Sequence, residues 1–265
     1  MLKIALVQTD AYLGEKRRNL KRLRQFCQTA KKEGAQVICF PELATTGYAP
    51  ALLGHEYRAL SETRHEETDR MFSLLATTLE VIIICGFIER DAQTGAVYNA
   101  AGVWLPGKAS WLGVFRKMHL IQDEKRWFTP GQALQVFDTP VGRIGGMICY
   151  DAGFPEVARC LTLKQADILV LLSAWPEKDK DIWYINGPCR ALENTVYLAA
   201  VNRWGKEGDS QLFGGSQILS PRGEVMARAT EQGEQIIYNT LDRQRQSAIR
   251  KALPYLDDRQ PDRYR

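Results

Sequence analysis

The 265-residue chain is poor in several things, and each shortage removes a class of protein. No apolar run reaches the roughly 20 residues that a membrane helix needs. The longest candidate, VIIICGFI at Val81–Ile88, reads instead as a buried strand. The amino terminus, MLKIALVQTD, lacks a leader pattern and reads as a strand from its second residue. There are only three histidines, with no HExxH-like pair, so no zinc site is expected. The six cysteines (27, 39, 85, 149, 160 and 189) are scattered, with no CxxC spacing for a metal or redox dithiol. Without a secretion signal they are expected to be reduced, in a cytoplasmic protein. No linker, repeat or low-complexity segment interrupts the chain, so residues 1–265 are expected to form a single domain.

What is present is enough apolar residue to fill one large core: 45% of the chain is hydrophobic. The net charge of +4 hides a local excess, because Lys16–Lys32 holds eight basic residues and no acidic one. Such a stretch could bind nucleic acid. However, Leu20, Leu23, Cys27 and Ala30 fall on one helical stripe, which puts the charges on a solvated face. The one aromatic in the stretch, Phe26, does not make the interleaved set that a single-strand binder would require. Neither nucleic acid nor a membrane is an expected partner.

Hydrophobic strands alternate with amphipathic helices throughout, which predicts an α/β protein. Expected strands include Lys3–Thr9, Gln36–Phe40, Val81–Glu89, Val97–Leu105, Ser110–Lys117, Gly142–Cys149, Asp167–Leu172 and Val196–Val201. Expected helices are Glu15–Glu33, Ser61–Glu80, Pro155–Gln165, Ile182–Asn194 and Asp242–Ala252. The paired glycines of GRIGGMICYD (Gly142–Asp151) suggest a buried strand that another element approaches closely.

Three polar residues share one pattern, a reactive group at the exit of a hydrophobic strand. Glu42 follows VICFP, Lys117 ends WLGVFRK and Cys149 ends IGGMIC. A thiol at a strand's carboxyl end sits where α/β sheets hold their chemistry. A nearby glutamate can act as its base, and a lysine can lower its pKa and hold an oxyanion. Taken singly, each has a dull alternative: a packed cysteine, a loop carboxylate, a solvated Arg116–Lys117 pair.

Taken together, FPELATTGY, FRKMHL and GGMICYDAGFPE resemble the signature stretches of the nitrilase superfamily of carbon–nitrogen hydrolases. ADILVLLSAWP, CRALENTVYLAAVNRWG, FGGSQILSPRGEV and an RxPDxY-like tail follow in the family order. The resemblance implies a four-layer α-β-β-α sandwich, paired into dimers, with Glu42, Lys117 and Cys149 catalytic and no metal or organic cofactor. Glu124, in DEKRWFTPG, resembles the second glutamate of carbamoyl-amine amidases, although the spacing from Lys117 is shorter here. The mechanism implied is a thioester acyl-enzyme whose oxyanion is held by Lys117 and the backbone N–H of Tyr150. Tyr48 and Trp175 are expected to line the substrate pocket, with the loops Ala49–Tyr57, Gln122–Thr129 and Pro176–Trp183. Asp151, Glu156, Arg159, Arg190 and Glu193 are expected to form buried ion pairs that orient these loops, and His119 to be structural.

Cys149-Tyr150-Asp151, rather than Cys-Trp-Glu, and the compact chain resemble the amidase and carbamoylase branches. A small linear amide or N-carbamoyl compound is therefore the expected substrate, with nitrile hydrolysis as the alternative. An inactive basic-surface binding protein is the competitor from another class. The tail, residues 253–265, has too little apolar surface to pack alone and is expected to lie at a homodimer interface beside the helix that follows Cys149.

Overall fold

The computed structural model describes residues 1–121 and 123–264. Gln122, at the start of one expected pocket loop, and Arg265, the last residue of the tail, lie outside the described residues. In chain order, the first half holds β1 (Leu2–Gln8), α1 (Lys16–Lys32), β2 (Val37–Cys39), α2 (Pro50–Leu53), α3 (Glu56–Leu60), α4 (Glu67–Leu79), β3 (Ile82–Arg90), β4 (Val97–Trp104) and β5 (Gly113–Arg116). The second half holds β6 (Val136–Thr139), β7 (Gly142–Ile148), α5 (Pro155–Leu163), β8 (Ile168–Ser173), α6 (Lys180–Glu193) and β9 (Tyr197–Asn202). It closes with β10 (Trp204–Glu207), β11 (Ser210–Phe213), β12 (Gln217–Leu219), β13 (Val225–Arg228), β14 (Gln235–Leu241) and α7 (Arg243–Ala252).

The strands form two six-stranded sheets, β14-β1-β2-β3-β4-β5 and β13-β12-β9-β8-β7-β6, and a separate β10–β11 hairpin. In each sheet three neighbouring strands run parallel: β1, β2 and β3 in one, β7, β8 and β9 in the other. Parallel neighbours need crossover connections, and helices supply them. Because both faces of each sheet are covered, the central strands read as nearly unbroken apolar runs. The pleat then sorts their side chains. Ile4 and Leu6 of β1 meet Ile168, Val170 and Leu172 of β8 in the core between the sheets. Ala5 and Val7 face the other way, packing with Leu20, Leu23, Cys27 and Ala30 of α1. Leu169 and Leu171 face outward to meet Val157, Ala158 and Leu161 of α5. The result is the expected α-β-β-α layering.

The paired glycines of β7 serve close approach, as expected. A Cβ at Gly146 would fall 2.2 Å from the Phe115 ring of the facing sheet, and one at Gly145 would meet Leu169, Leu161 and Ala166. The basic stretch is a solvated, ion-paired helix face: Arg17 pairs with Glu67, Arg18 with Glu15 and Arg22 with Asp10.

Several boundaries differ from those expected, each for a local reason. The helix expected from Ser61 begins at Glu67, because Glu62 bridges in parallel to Glu89 of β3 and its side chain accepts from Thr68 N–H. The strand expected from Ser110 begins at Gly113, because Ser110 and Trp111 are held by the buried Asp69 carboxylate. The β10–β11 hairpin and the short α2 and α3 were not expected at all.

Candidate active site

Glu42, Lys117 and Cys149 each emerge from the end of a different strand, β2, β5 and β7. Beyond β2 the chain turns sharply, with Leu43 in the left-handed region at φ 44°. The turn rests on Gly86 of β3, where a Cβ would lie 2.4 Å from Pro41 O, 2.5 Å from Leu43 N and 2.7 Å from Glu42 Cα. Only a residue with no side chain admits that approach. Cys149, expected as the last strand residue, instead opens a short 3-10 turn running to Gly153, and its own φ of 47° is left-handed. A non-glycine residue held there is strained, and such strain gathers at functional sites.

The side chains converge. Lys117 Nζ lies 2.8 Å from Glu42 and 2.9 Å from Glu124, with all three side chains fully buried. Glu124 therefore belongs to the cluster despite its short spacing from Lys117. It comes from the 3-10 turn Asp123–Arg126, and its second contact is Ile121 N–H, 3.0 Å away. Glu42 also accepts from the Ala174 backbone N–H beyond β8, at 2.8 Å, and its own carbonyl accepts from Arg203. One residue absent from the sequence reading joins them. Asn99 of β4 donates from Nδ2 to Glu42 at 2.6 Å and to Glu124 at 3.0 Å. The available signal was a lone amide in the apolar strand VYNAAGVW.

The cluster's electrostatics follow from burial and proximity. Burial opposes the Lys117 charge, but the Glu42 and Glu124 carboxylates outweigh it and hold the ammonium well above the ordinary lysine range. Burial, reinforced by Glu42, pushes the Cys149 thiol well above its ordinary range, against the opposing pull of Lys117. Glu124 is raised by burial, with Lys117 drawing it back. The resting site therefore pairs a charged lysine with a neutral thiol, and a base must take the thiol proton as the sulfur attacks.

The surrounding expectations fare unevenly. Lys117 Nζ sits 5.6 Å from the centre of the Tyr48 ring, which places Tyr48 over the cluster, and Tyr48 N–H donates to the buried Glu207. Trp175 is 6% exposed and packs on Trp183, its indole N–H bound to Asp179 O, in the same core cluster that Cys149 abuts. Tyr150 directs a 44% exposed ring away from the core, edge-on to Phe154. Asp151 joins two motifs: Oδ1 accepts from His119 N–H and meets the His119 ring, each at 2.9 Å, and Oδ2 accepts from Ile148 N–H at 3.1 Å. The His119 ring stacks on Phe154. Arg190 pairs with Glu193 and also holds Ala152 O at 2.9 Å, bracing the turn that Cys149 opens. Arg159 binds the Glu193 carbonyl. Glu156 departs from expectation: it is exposed and makes no ion pair among the described residues, because the first turn of α5 faces outward there.

The family model for carbon–nitrogen hydrolases matches residues 3–251. The chain belongs to that family. A probable nitrilase of Schizosaccharomyces pombe, C965.09, is 33% identical to this carbon–nitrogen hydrolase over 99% of its chain and 97% of the relative's. A 2-oxoglutaramate amidase of Bacillus subtilis is 30% identical over 98% of each chain. The crystal structure of a carbon–nitrogen hydrolase from Helicobacter pylori G27 superposes with a TM-score of 0.91 at 29% identity, covering 99% of this chain and 97% of that one. The layered sandwich is thus that of the nitrilase superfamily, as the three sequence stretches implied.

Proposed function

We propose that this carbon–nitrogen hydrolase is an amidase that cleaves a small linear amide or N-carbamoyl compound through a thioester on Cys149. The observation that carries the reading is the buried Lys117 ammonium, within 2.9 Å of two carboxylates and in the field of a strand-end thiol. Glu42 accepts the Cys149 proton as Sγ bonds to the carbonyl carbon. The oxyanion is held by Lys117 and the Tyr150 N–H. Glu42 returns the proton to the nitrogen, the C–N bond breaks, and ammonia or an amine departs. Glu42 then deprotonates the water that hydrolyses the thioester, freeing the acid and the thiol. Glu124 orients the substrate nitrogen and later the water, with Tyr48 and Trp175 walling the pocket.

Nitrile hydrolysis is the second reading, favoured by the nitrilase name of the S. pombe relative. A panel of ω-amides, N-carbamoyl amines and acids, and matched nitriles, scored by ammonia release for the wild type and Cys149→Ala, decides between them. Amides or ureides should lead. A tenfold nitrile preference in kcat/KM, about 1.4 kcal/mol in barrier, would reverse the assignment, and turnover by Cys149→Ala would overturn the mechanism.

The enzyme works as a homodimer in the cytoplasm, residues 1–265 forming one catalytic unit. Six free cysteines suit a reducing compartment. The dimer is supported by apolar side chains left exposed on the outer helices, Leu163 of α5 and Ile182, Ile185 and Leu192 of α6. Tyr255, Arg259 and Tyr264 of the tail share a cleft with Pro155, Glu156 and Arg159 of α5. A fully active 30 kDa monomer in sedimentation would refute the assembly.

A further inference from the structure

Asn99 lies on the row of β4 that faces the core between the sheets, followed on the same row by Ala101 and Val103. It is 1% exposed and makes three contacts with the cluster. Its backbone carbonyl accepts from Lys117 N–H at 2.9 Å, which sets where the lysine leaves β5. Its two amide protons go to the carboxylates of Glu42 and Glu124. The opposite amide orientation would aim Oδ1 at both carboxylates, so the charges fix the one observed. That leaves Oδ1 buried without a hydrogen-bond partner among the described residues. An unsatisfied buried acceptor costs stability. The return lies in the site: a neutral double donor holds both of the carboxyl groups that flank the ammonium without adding charge.

We infer that Asn99 is a positioning residue that holds Glu42 and Glu124 in fixed register around Lys117, and so sets where Glu42 stands to take the Cys149 proton. This rests on the proposed roles of Glu42 and Cys149. The other ionisable groups that act on this cluster are Tyr48, Tyr57 and Glu207, with Arg203 bound to the Glu42 carbonyl.

The test compares Asn99→Ala and Asn99→Asp with Glu42→Gln and the wild type. kcat and KM are measured on the best amide from mildly acid to mildly alkaline pH, with folding followed by circular dichroism and thermal melting. Asn99→Ala should lose about ten- to a hundredfold in kcat with little change in KM. The acid limb of its rate profile should move to higher pH, because both carboxylates have lost a donor to their charged forms. Asn99→Asp should regain activity relative to Asn99→Ala as pH falls, since its own carboxyl donates again once protonated. If Asn99→Ala does not fold, Asn99→Ser, with a single donor, replaces it. Should Glu42→Gln remain active, the reading of Glu42 as base falls. If Glu42→Gln is inactive while Asn99→Ala keeps wild-type kcat, or loses activity with an unshifted profile, the inference about Asn99 alone is overturned.

Discussion

Replacing Gly86 with alanine adds one methyl group some way from the thiol, yet it should disable the enzyme. The new carbon would sit 2.4, 2.5 and 2.7 Å from three backbone atoms of the Pro41–Leu43 turn, where ordinary contact begins at 3.4 Å. No flexible side chain is among the three, so the turn itself must retreat by about 1 Å. Glu42 would retreat with it. Its carboxylate is held within 2.6–2.8 Å of Asn99, Lys117 and the Ala174 N–H, and such contacts do not survive a shift of that size intact. Misplacement of a reacting group by about 1 Å costs roughly 10²-fold in rate. Overpacking at a buried site costs about 1–3 kcal/mol, which for a chain of this length lowers the melting temperature by about 2–5 °C. The assay is kcat/KM on the best amide alongside a thermal melt, with active enzyme counted by covalent labelling of Cys149. The expected result is a folded, labelled protein with about a hundredfold lower kcat/KM. Activity within threefold of wild type would show that Glu42 is not placed by this contact, and the geometric argument would fail.

Two further outcomes follow from other parts of the structure. Burial disfavours the charge of Asp69, but donors from Ser110, the His65 N–H, Trp104 and the Trp111 N–H prevail and hold its carboxyl below the ordinary range. Its contribution to stability is thus present above the ordinary carboxylate pKa and lost as pH falls through the folded value. Asp69→Asn should melt about 4–7 °C lower near neutrality, from about 2–4 kcal/mol of lost charged hydrogen bonds, and the gap should narrow in acid; an unchanged gap would place the effect elsewhere. The raised Cys149 thiol predicts that its alkylation by iodoacetamide, followed by peptide mass spectrometry, still accelerates between about pH 7 and 9; a plateau reached before pH 8 would reveal a preformed thiolate and remove the need for Glu42 as base.

Much of the site is legible in the sequence because strand ends are legible. Glu42 and Cys149 each close a run of apolar residues that the pleat buries on both faces, Lys117 closes a partly buried edge strand, and each is a reactive type. Glu124 is readable only through its motif, since nothing in DEKR distinguishes the one carboxylate that turns inward. Asn99 and Arg203 are harder still. Their roles lie in pairings across strands and between the two sheets, and a single amide in VYNAAGVW carries no period of its own. The same limit explains the missed β10–β11 hairpin, whose strands of four residues are too short to establish alternation, and the late start of α4. There the helical pattern of Ser61–Glu80 is genuine, but the parallel bridge from Glu62 to β3 takes up the backbone that the first turn would have used.

The pairing of β14 with β1 bears on how the protein is made. All seven residues of β1, from Leu2 to Gln8, align with partners between Gln235 and Leu241. During synthesis, β1 therefore keeps one edge bare until β14 has followed it out of the ribosome. An exposed strand edge invites pairing with other chains. The nascent protein thus carries that hazard while every strand from β2 to β13 is made. The hazard ends when β14 closes the ladder on β1, so a ribosome that stalls between β13 and β14 would leave β1 unsealed.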